Sequence, residues 1–288
     1  MCDEKQLAEM PTGSVSRRQF AKIGALATLA AGIAPGIAGA QQTRMAEQFA
    51  VFDAPGGKMD AYFVFPSEGK HPAIIVWPDI AGRRDAFISM GRRLAREGYA
   101  VLILNPYYRS AEAPQFDDFE DWRSQGGMEK VAPWREQLTA ANVMETAKAV
   151  VAWLDKQDPV DTSKGIGTQG YCMGGPFTVW TAAAAPERVK AAASFHGGGL
   201  VGEEETAPVK LLGQTQASYL FAIARNDDRT SPGDKDALKA AATAAGRPAE
   251  VEVYRGDHGW TVDDSPVFEV DAADRAWERL LNLYSTSL

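Results

Sequence analysis

A cysteine stands between two glycines in the segment Gly170-Tyr171-Cys172-Met173-Gly174. The pattern G-x-C-x-G at a strand-to-helix junction is typical of a nucleophile elbow, a sharp turn that holds the reactive side chain in a strained backbone conformation. Glycines two positions away on either side keep side chains from colliding with the neighbouring strand and helix. The thiol is therefore a candidate nucleophile for acyl transfer. Glycine-rich turns between a strand and a helix also serve purely structural ends, so the motif needs partners.

The histidine that would activate this thiol is expected at the end of a later strand. Only three histidines occur in the chain, and His258 follows the last strand-like run. His71 precedes a buried strand and is expected to face solvent. His196 also ends a strand, but it precedes the acid in the chain, whereas the elbow order is nucleophile, acid, histidine. We therefore assign His258 as the candidate general base and expect His196 to line the pocket.

The acid that orients the histidine is predicted at the end of the run SYLFAIA, residues 218–224, where Asp227 and Asp228 follow. Spacing from the strand end favours Asp227, and spacing back from Pro232 favours Asp228; we prefer Asp227. Two adjacent carboxylates could also be the acidic N-terminus of a helix. The next helix is expected to begin near Pro232, which would leave both carboxylates for the site.

Alternating strands and helices must position these residues. A β-hairpin is predicted over residues 49–66, followed by an alternation typical of an α/β domain with a largely parallel central sheet. The later strand-like runs are 73–80, 100–108, 164–172, 189–197, 218–227 and 250–256, and the helical patterns are 86–99, 138–157, 174–185, 234–246 and 268–285. The acidic, Trp-containing stretch 110–137 interrupts this rhythm and is expected to form an insertion or lid over the site.

The N-terminus predicts export. Residues 16–22 read SRRQFAK, a twin-arginine pattern, and Ala38 and Ala40 form an A-x-A cleavage site after a mildly apolar core. An uncleaved membrane anchor is the alternative, but the apolar core from 23 to 37 is short and interrupted by Pro35. We therefore expect export by the twin-arginine (Tat) machinery, cleavage near Ala40 and a periplasmic protein without a membrane span after cleavage.

Composition narrows the function classes further. The chain has 288 residues and a net charge of −8. Cleavage would leave 248 residues, which are expected to form one domain over 41–288. Because the signal carries four basic and three acidic residues, the net charge of the remaining chain would be −9. This acidic surface has no basic run that would indicate binding to nucleic acid or anionic lipid. Cys2 would leave with the signal, so Cys172 would be the single cysteine of the mature chain. No C-x-x-C motif is present, and too few Cys and His occur for a thiol redox or metal site.

Together these residues resemble the dienelactone hydrolase family of the α/β-hydrolase fold. The resemblance covers nearly the whole mature chain and rests on short motifs. These are GYCMGG around Cys172, DHG around His258, ARNDD at the acid, WPDIAG at 77–82 and NPYYR at 105–109. The resemblance implies a central, mostly parallel sheet flanked by helices on both faces.

The same resemblance implies hydrolysis of an enol-lactone or similar ester, as by a carboxymethylenebutenolidase, through a Cys-His-Asp triad and a thioester acyl-enzyme, without metal or cofactor. Its oxyanion hole maps to the backbone N–H groups of Met173 and Ile80. A family arginine that holds a substrate carboxylate maps to Arg109. Asp79 stands where the family has a glutamate that engages the resting thiol, and this departure shortens the side chain by one methylene.

Two questions stay open at the level of sequence. Aromatic and imidazole side chains near strand ends could line the pocket or belong to the core; they are Tyr107, Tyr108, Phe195, His196 and Trp260. The activity could also be that of a broader carboxylesterase, and a non-catalytic periplasmic binding protein could keep the same pocket. The intact order Cys, Asp, His argues against binding alone, because a protein that only binds has no need of it.

Overall fold

One eight-stranded sheet organises the part of the chain that the computed structural model describes, residues 44–288. The strands are β1 (Met45–Ala54), β2 (Gly57–Pro66), β3 (Ala73–Trp77), β4 (Ala100–Leu104), β5 (Ile166–Tyr171), β6 (Val189–Phe195), β7 (Ser218–Ile223) and β8 (Ala249–Val253). Their spatial order is β1-β2-β4-β3-β5-β6-β7-β8. The pairs β1–β2 and β2–β4 are antiparallel, and every other pair is parallel. The predicted hairpin and mostly parallel sheet are confirmed.

Helices connect the strands. They are α1 (Asp85–Arg96), α2 (Phe119–Ser124), α3 (Gly127–Arg135), α4 (Ala140–Leu154), α5 (Gly175–Ala184), α6 (Pro208–Leu211), α7 (Arg225–Thr230), α8 (Asp234–Ala244) and α9 (Val270–Ser287). Single 3-10 turns cover Cys172–Gly174 and Leu212–Gln214. The start of α4 shows how local sequence sets a boundary, because the Thr139 side chain accepts a hydrogen bond from the Asn142 N–H.

The sheet is buried on both faces. Successive side chains of a strand point to opposite sides, so Ile75 packs with α4 and α5 in one apolar cluster, while Ile74 and Val76 pack with α1 and α9 in another. All residues of β3, β4 and β5 are buried, and burial on both faces explains the continuous apolar runs of β3 and β4. The expectation of helices on both faces is confirmed.

The interrupted stretch 110–137 contains α2 and α3 and packs over the loops that follow β3 and β4. A third apolar cluster joins Ile80 and Tyr107 of those loops to Phe119, Trp122 and Val131 of the stretch. This packing places the stretch at the carboxyl edge of the sheet, beside Cys172 at the end of β5.

One predicted boundary is wrong. The helix expected near Pro232 is preceded by α7, which begins at Arg225, directly after Ala224. Ala224 has extended backbone and Arg225–Thr230 is helical, so Asp227 and Asp228 lie in the first turn of a short helix. Their carboxylates nevertheless have different partners, as the site shows.

The predicted signal at 1–40 lies outside the described residues, so cleavage and export stay predictions. Within residues 44–288, no helix combines the length and apolar character needed to cross a membrane.

Candidate active site

The turn after β5 has the geometry of a nucleophile elbow. Cys172 has φ 52°, in the left-handed region that residues with a side chain rarely adopt. A Cβ on Gly170 would lie 2.0 Å from the carbonyl oxygen of Gly174, and a Cβ on Gly174 would lie 2.5 Å from that of Trp77. Glycine is therefore required at both positions, because the turn packs directly on its own strand and on the end of β3.

That close packing brings the elbow to the loop that carries Ile80, the second candidate oxyanion donor. Among the described loop carbonyls and side chains, none accepts a hydrogen bond from the N–H of Ile80. The Tyr107 hydroxyl donates to the carbonyl oxygen of Ile80 at 2.8 Å and lies 3.4 Å from Met173 Sδ. Burial raises the pKa of Tyr107, so its hydroxyl stays a donor. One phenol thus contacts both residues whose N–H groups are candidates for the oxyanion hole.

A histidine–aspartate pair lies at the ends of β7 and β8. His258 Nδ1 is 2.8 Å from Asp227 Oδ2, and the His258 backbone N–H donates to Asn226 Oδ1 at 2.8 Å. Asp228 instead forms an ion pair with Lys235 at 2.5 Å. Of the two carboxylates that the sequence offered, the structure brings Asp227 to the imidazole.

The ends of β3, β5, β6 and β8 meet at a small cavity of about 10 Å³. Its walls are Asp79, Ile80, Phe119, Cys172, His196, His258, Gly259 and Ser265. Cys172 and His258 therefore share one cavity although 86 positions separate them in the chain. Parallel strands produce this meeting, because all their carboxyl ends lie at the same edge of a sheet.

His196 is packed against the candidate base. Its ring meets the His258 ring edge-to-face at 4.9 Å and the Trp260 ring at 5.1 Å, and Nε2 lies 3.0 Å from Thr261 Oγ1. Burial, reinforced by the neighbouring His258, lowers the pKa of His196 well below its ordinary value, so this ring is neutral. Its backbone φ of 41° is also left-handed. His196 lines the cavity that contains Cys172, whereas Trp260 stacks on Tyr254 behind His196.

Asp79, at the position of the family glutamate, is held by an arginine. Arg84 Nη1 and Nη2 donate to the two Asp79 carboxylate oxygens at 2.7 and 2.9 Å, and Ala81 N–H donates to Oδ1 at 2.9 Å. The same guanidinium binds Asp264 through Nε at 2.6 Å and Nη2 at 2.8 Å. Burial disfavours the Arg84 cation, but the two carboxylates outweigh that penalty and raise its pKa. Sequence reasoning missed Arg84 and Asp264, whose only signal was the Arg83-Arg84 pair soon after Asp79.

Arg109 and Tyr108 lie elsewhere. The Arg109 guanidinium lies 4.8 Å from the Tyr108 ring centre and donates from Nη2 to the Asn142 carbonyl at 3.1 Å, beside the β1–β2 turn. The Tyr108 hydroxyl donates to the Pro55 carbonyl at 2.6 Å. Neither residue lines the cavity that contains Cys172. Tyr107 turns toward Ile80 and Met173, while the next two side chains turn toward the hairpin. The role of Arg109 toward a substrate carboxylate stays a prediction.

Two further expectations concern the core and metals. Phe195 is buried and its ring stacks on that of Tyr171 at 5.1 Å. It therefore packs against the residue before Cys172 and does not line the cavity that contains Cys172. In the part of the chain from 44 to 288, no group of three or more His, Cys, Asp or Glu side chains is arranged to hold a metal ion.

Comparison with known proteins agrees with this architecture. The model of the dienelactone hydrolase family matches residues 59–288. A relative from Synechocystis is 28% identical over 226 residues, 76% of this chain and 88% of its own, and one from Escherichia coli K12 is 27% identical over 243 residues, 82% and 85%. Both are provisionally named carboxymethylenebutenolidase.

Solved structures extend the likeness to three dimensions. A Klebsiella pneumoniae protein described provisionally as a dienelactone hydrolase has TM-score 0.70 and 25% identity, covering 84% of this chain and 99% of its own. An acylaminoacyl peptidase shares the fold alone, with TM-score 0.60 and 15% identity over 85% of this chain and 42% of its own. The chain belongs to the dienelactone hydrolase family, has the α/β-hydrolase fold and is a hydrolase of ester or lactone bonds.

Proposed function

We propose that the chain hydrolyses an ester or lactone bond, as a carboxymethylenebutenolidase does, with Cys172 as nucleophile, His258 as base and Asp227 as orienting acid. The observation that carries the proposal is the 2.8 Å contact between His258 and Asp227 at a cavity that Cys172 also lines. The elbow geometry of Cys172 adds to it, since a φ of 52° is costly and is found where a nucleophile must stand at the apex of a turn.

Acylation begins when His258 accepts the thiol proton and the sulfur attacks the carbonyl carbon. A C–S bond forms as the carbonyl π electrons move onto oxygen, and the N–H groups of Ile80 and Met173 donate to that oxyanion. Each such donor is worth about 3 kcal/mol in related hydrolases. Collapse breaks the C–O bond to the leaving group, which takes the proton from His258, leaving a thioester on Cys172. In a lactone, the leaving hydroxyl stays attached to the acyl group.

Deacylation repeats these steps with water. His258 takes a proton from water, the hydroxide attacks the thioester carbon, and the same two N–H groups hold the second oxyanion. Collapse expels the Cys172 sulfur, which recovers its proton from His258, and the carboxylic acid leaves. Asp227 accepts the hydrogen bond from His258 Nδ1, which keeps Nε2 as the basic nitrogen and stabilises the imidazolium formed in each half-reaction.

The thiol proton goes to His258 in this mechanism and not to Asp79. The Asp79 carboxylate makes a two-point ion pair with Arg84 and accepts from the Ala81 N–H. Both carboxylate oxygens of Asp79 are thus already engaged by the Arg84 guanidinium. We therefore propose that the family's resting contact between thiol and glutamate is absent from this chain.

A turnover screen tests the proposed function. Activated esters and small lactones should be hydrolysed by the wild-type protein and not by Cys172→Ala, and iodoacetamide should abolish hydrolysis in parallel with alkylation of Cys172. His71→Ala is the matched control, because its ring lies far from this cavity, between the carbonyl oxygens of Gly98 and Glu68. Retained turnover after complete alkylation, or in a folded Cys172→Ala protein, would exclude a cysteine nucleophile.

We further propose that residues 1–40 are removed during export through the Tat machinery and that residues 41–288 act as a one-domain periplasmic enzyme. The support is the SRRQFAK segment and the Ala38-x-Ala40 site. The intact mass of protein recovered from the periplasm should correspond to a chain that begins near Gln41. A full-length mass would contradict this.

A further inference from the structure

A second, much larger cavity lies beside the elbow. Its volume is about 710 Å³, within the range of small-molecule sites. Met173, the residue after Cys172, forms part of its wall, and Gly198, two residues after His196, forms another part. The remaining walls come from α5, the loop between β6 and α6, the end of α3 and the segment joining α3 to α4. A substrate with its carbonyl carbon at Cys172 would place one neighbouring group in this cavity.

The walls of this cavity are mainly apolar. Phe177 and Trp180 of α5 stack at 5.5 Å with their planes 20° apart, and Leu138 and Val201 also line the space. The Trp180 Nε1–H donates to the Thr206 carbonyl at 2.8 Å. That bond satisfies the polar edge of the indole and fixes the ring, so its apolar face is available to a ligand.

The charged groups around the cavity do not favour an anion. Among its described lining residues, Arg135 is cationic and Glu136 and Glu204 are anionic, which gives a net negative charge when all are ionised. Arg109, which the family resemblance assigned to a substrate carboxylate, is engaged by Asn142 and Tyr108 outside this cavity. A second carboxylate on the substrate would therefore enter a lining in which Arg135, the one described cation, is outnumbered by two glutamates.

We infer that the substrate is a neutral ester or lactone with an apolar alkyl or aryl group on one side of its carbonyl, bound against Trp180 and Phe177. This inference rests on the proposed function, because it takes Cys172 as the position of the carbonyl carbon. In this inference, Phe177 and Trp180 determine which substrates are hydrolysed, because the residues Cys172, His258 and Asp227 do not select among acyl groups.

The inference is tested by two substrate series and one charge-matched pair. p-Nitrophenyl acetate to hexanoate varies the acyl group, and methyl to hexyl acetate varies the alcohol. In one of the two series, kcat/KM should rise about tenfold or more from the shortest to the longest member, because an apolar pocket gains affinity with each buried methylene. p-Nitrophenyl valerate should be hydrolysed at least about fivefold faster than the mono-p-nitrophenyl ester of glutaric acid, which adds a carboxylate at similar length.

Two tryptophan variants test whether this cavity causes the rise of kcat/KM with chain length. Trp180→Ala should remove most of the gain with chain length. Trp277→Ala is the matched control: that indole packs on Arg93 at 4.0 Å on the other face of the sheet, and its loss should leave the gain unchanged. A flat response in both series, a preference for the anionic ester, or an equal effect of the two tryptophan variants would overturn the inference.

Failure of the inference can be told apart from failure of the proposed function. If Cys172→Ala is inactive and the wild type prefers short or anionic esters, the nucleophile stands and the substrate class is wrong. If Cys172→Ala keeps wild-type turnover, the mechanism is wrong and the inference fails with it.

Discussion

Two segments at the same edge of the sheet each carry an aspartate of the candidate site, and the two carboxylates have different partners. Asp227, after β7, meets the imidazole of His258 at 2.8 Å. Asp79, after β3, meets the guanidinium of Arg84 at 2.7 and 2.9 Å. An imidazole gains and loses a proton near neutral pH, whereas a guanidinium keeps its charge. The partner of each carboxylate therefore decides whether it supports proton transfer or holds structure.

The ion pairs of Arg84 with Asp79 and Asp264 join three segments of the chain. Arg84 links Asp79, next to the Ile80 donor, to Asp264 in the loop that also carries His258. Asp264 in turn accepts from the Phe119 N–H at 3.1 Å, at the start of α2. The loop of the oxyanion donor, the loop of the base and the covering stretch are therefore connected through one buried cation.

The largest expected effect is the loss of kcat when the Asp227 carboxylate is replaced. Asp227→Asn keeps the shape of the side chain but removes its charge, so kcat should fall by about 10³- to 10⁴-fold, as for the acids of related triads. Asp228→Asn is the matched control, since its carboxylate pairs with Lys235, and kcat should change less than about threefold. Initial rates with p-nitrophenyl acetate measure both. Equal losses would mean that the pairing of His258 with Asp227 does not set the chemistry.

A large loss of stability is expected when Asp79 loses the arginine that pairs with it. Arg84→Met leaves Asp79 as a buried carboxylate without its cation, so the free energy of unfolding should fall by about 3–5 kcal/mol. Arg93→Met removes an ion pair with Asp274 whose side chains are 48% and 62% exposed, and about 0–1 kcal/mol is expected. Urea denaturation measures both. Similar small losses for the two variants would show that Arg84 does not join the loops.

A smaller effect is expected from the phenol that contacts both oxyanion donors. Tyr107→Phe removes the hydrogen bond to the Ile80 carbonyl at little cost in volume, so kcat should fall about five- to tenfold with little change in KM. Tyr108→Phe removes hydrogen bonds to Pro55 and Thr146 away from Cys172 and should lower stability without lowering kcat. A matching kcat loss in both variants would show that the Tyr107 bond only supports the fold.

A pH dependence of stability is expected from His196. Its pKa is lowered in the folded state by burial and by His258, so below pH about 6.5 the unfolded chain binds a proton that the folded chain does not. Stability from this group is present above pH 6.5 and is lost as the pH falls, by up to about 1.4 kcal/mol per unit. His196→Asn, which tolerates the φ of 41°, should flatten this decline in urea titrations between pH 7 and 5. An unchanged slope would contradict a neutral buried His196.

Much of the fold was predictable because strand and helix patterns are local. The continuous apolar runs around Ile75 and Leu102 and the amphipathic pattern of α4 and α9 indicate a parallel sheet covered on both faces. The start of α7 was not predictable from its N-terminus, because Ala224 offers no capping side chain and the acidic residues stand inside the helix.

The site residues that directly follow parallel strands could be predicted from the sequence. Cys172, Asp227 and His258 each follow a parallel strand, and topology alone brings such positions together. Directions of side chains within a loop are not encoded in this way, which is why Arg109 was expected at the site and lies at the hairpin. Arg84 was missed for another reason: its guanidinium reaches Asp264, 180 positions away, and no local pattern records such a contact.

Trapping of the acyl-enzyme shows whether Cys172 carries the acyl group during turnover. The wild-type protein is mixed with p-nitrophenyl acetate, quenched in acid within the first turnovers, and analysed by intact mass and peptide mapping. We expect a mass increase of one acetyl group, located on the peptide containing Cys172 and removed by hydroxylamine, as for a thioester. An acetyl group found on a different residue, or a burst of p-nitrophenol with Cys172 unmodified, would contradict an acyl-enzyme on Cys172.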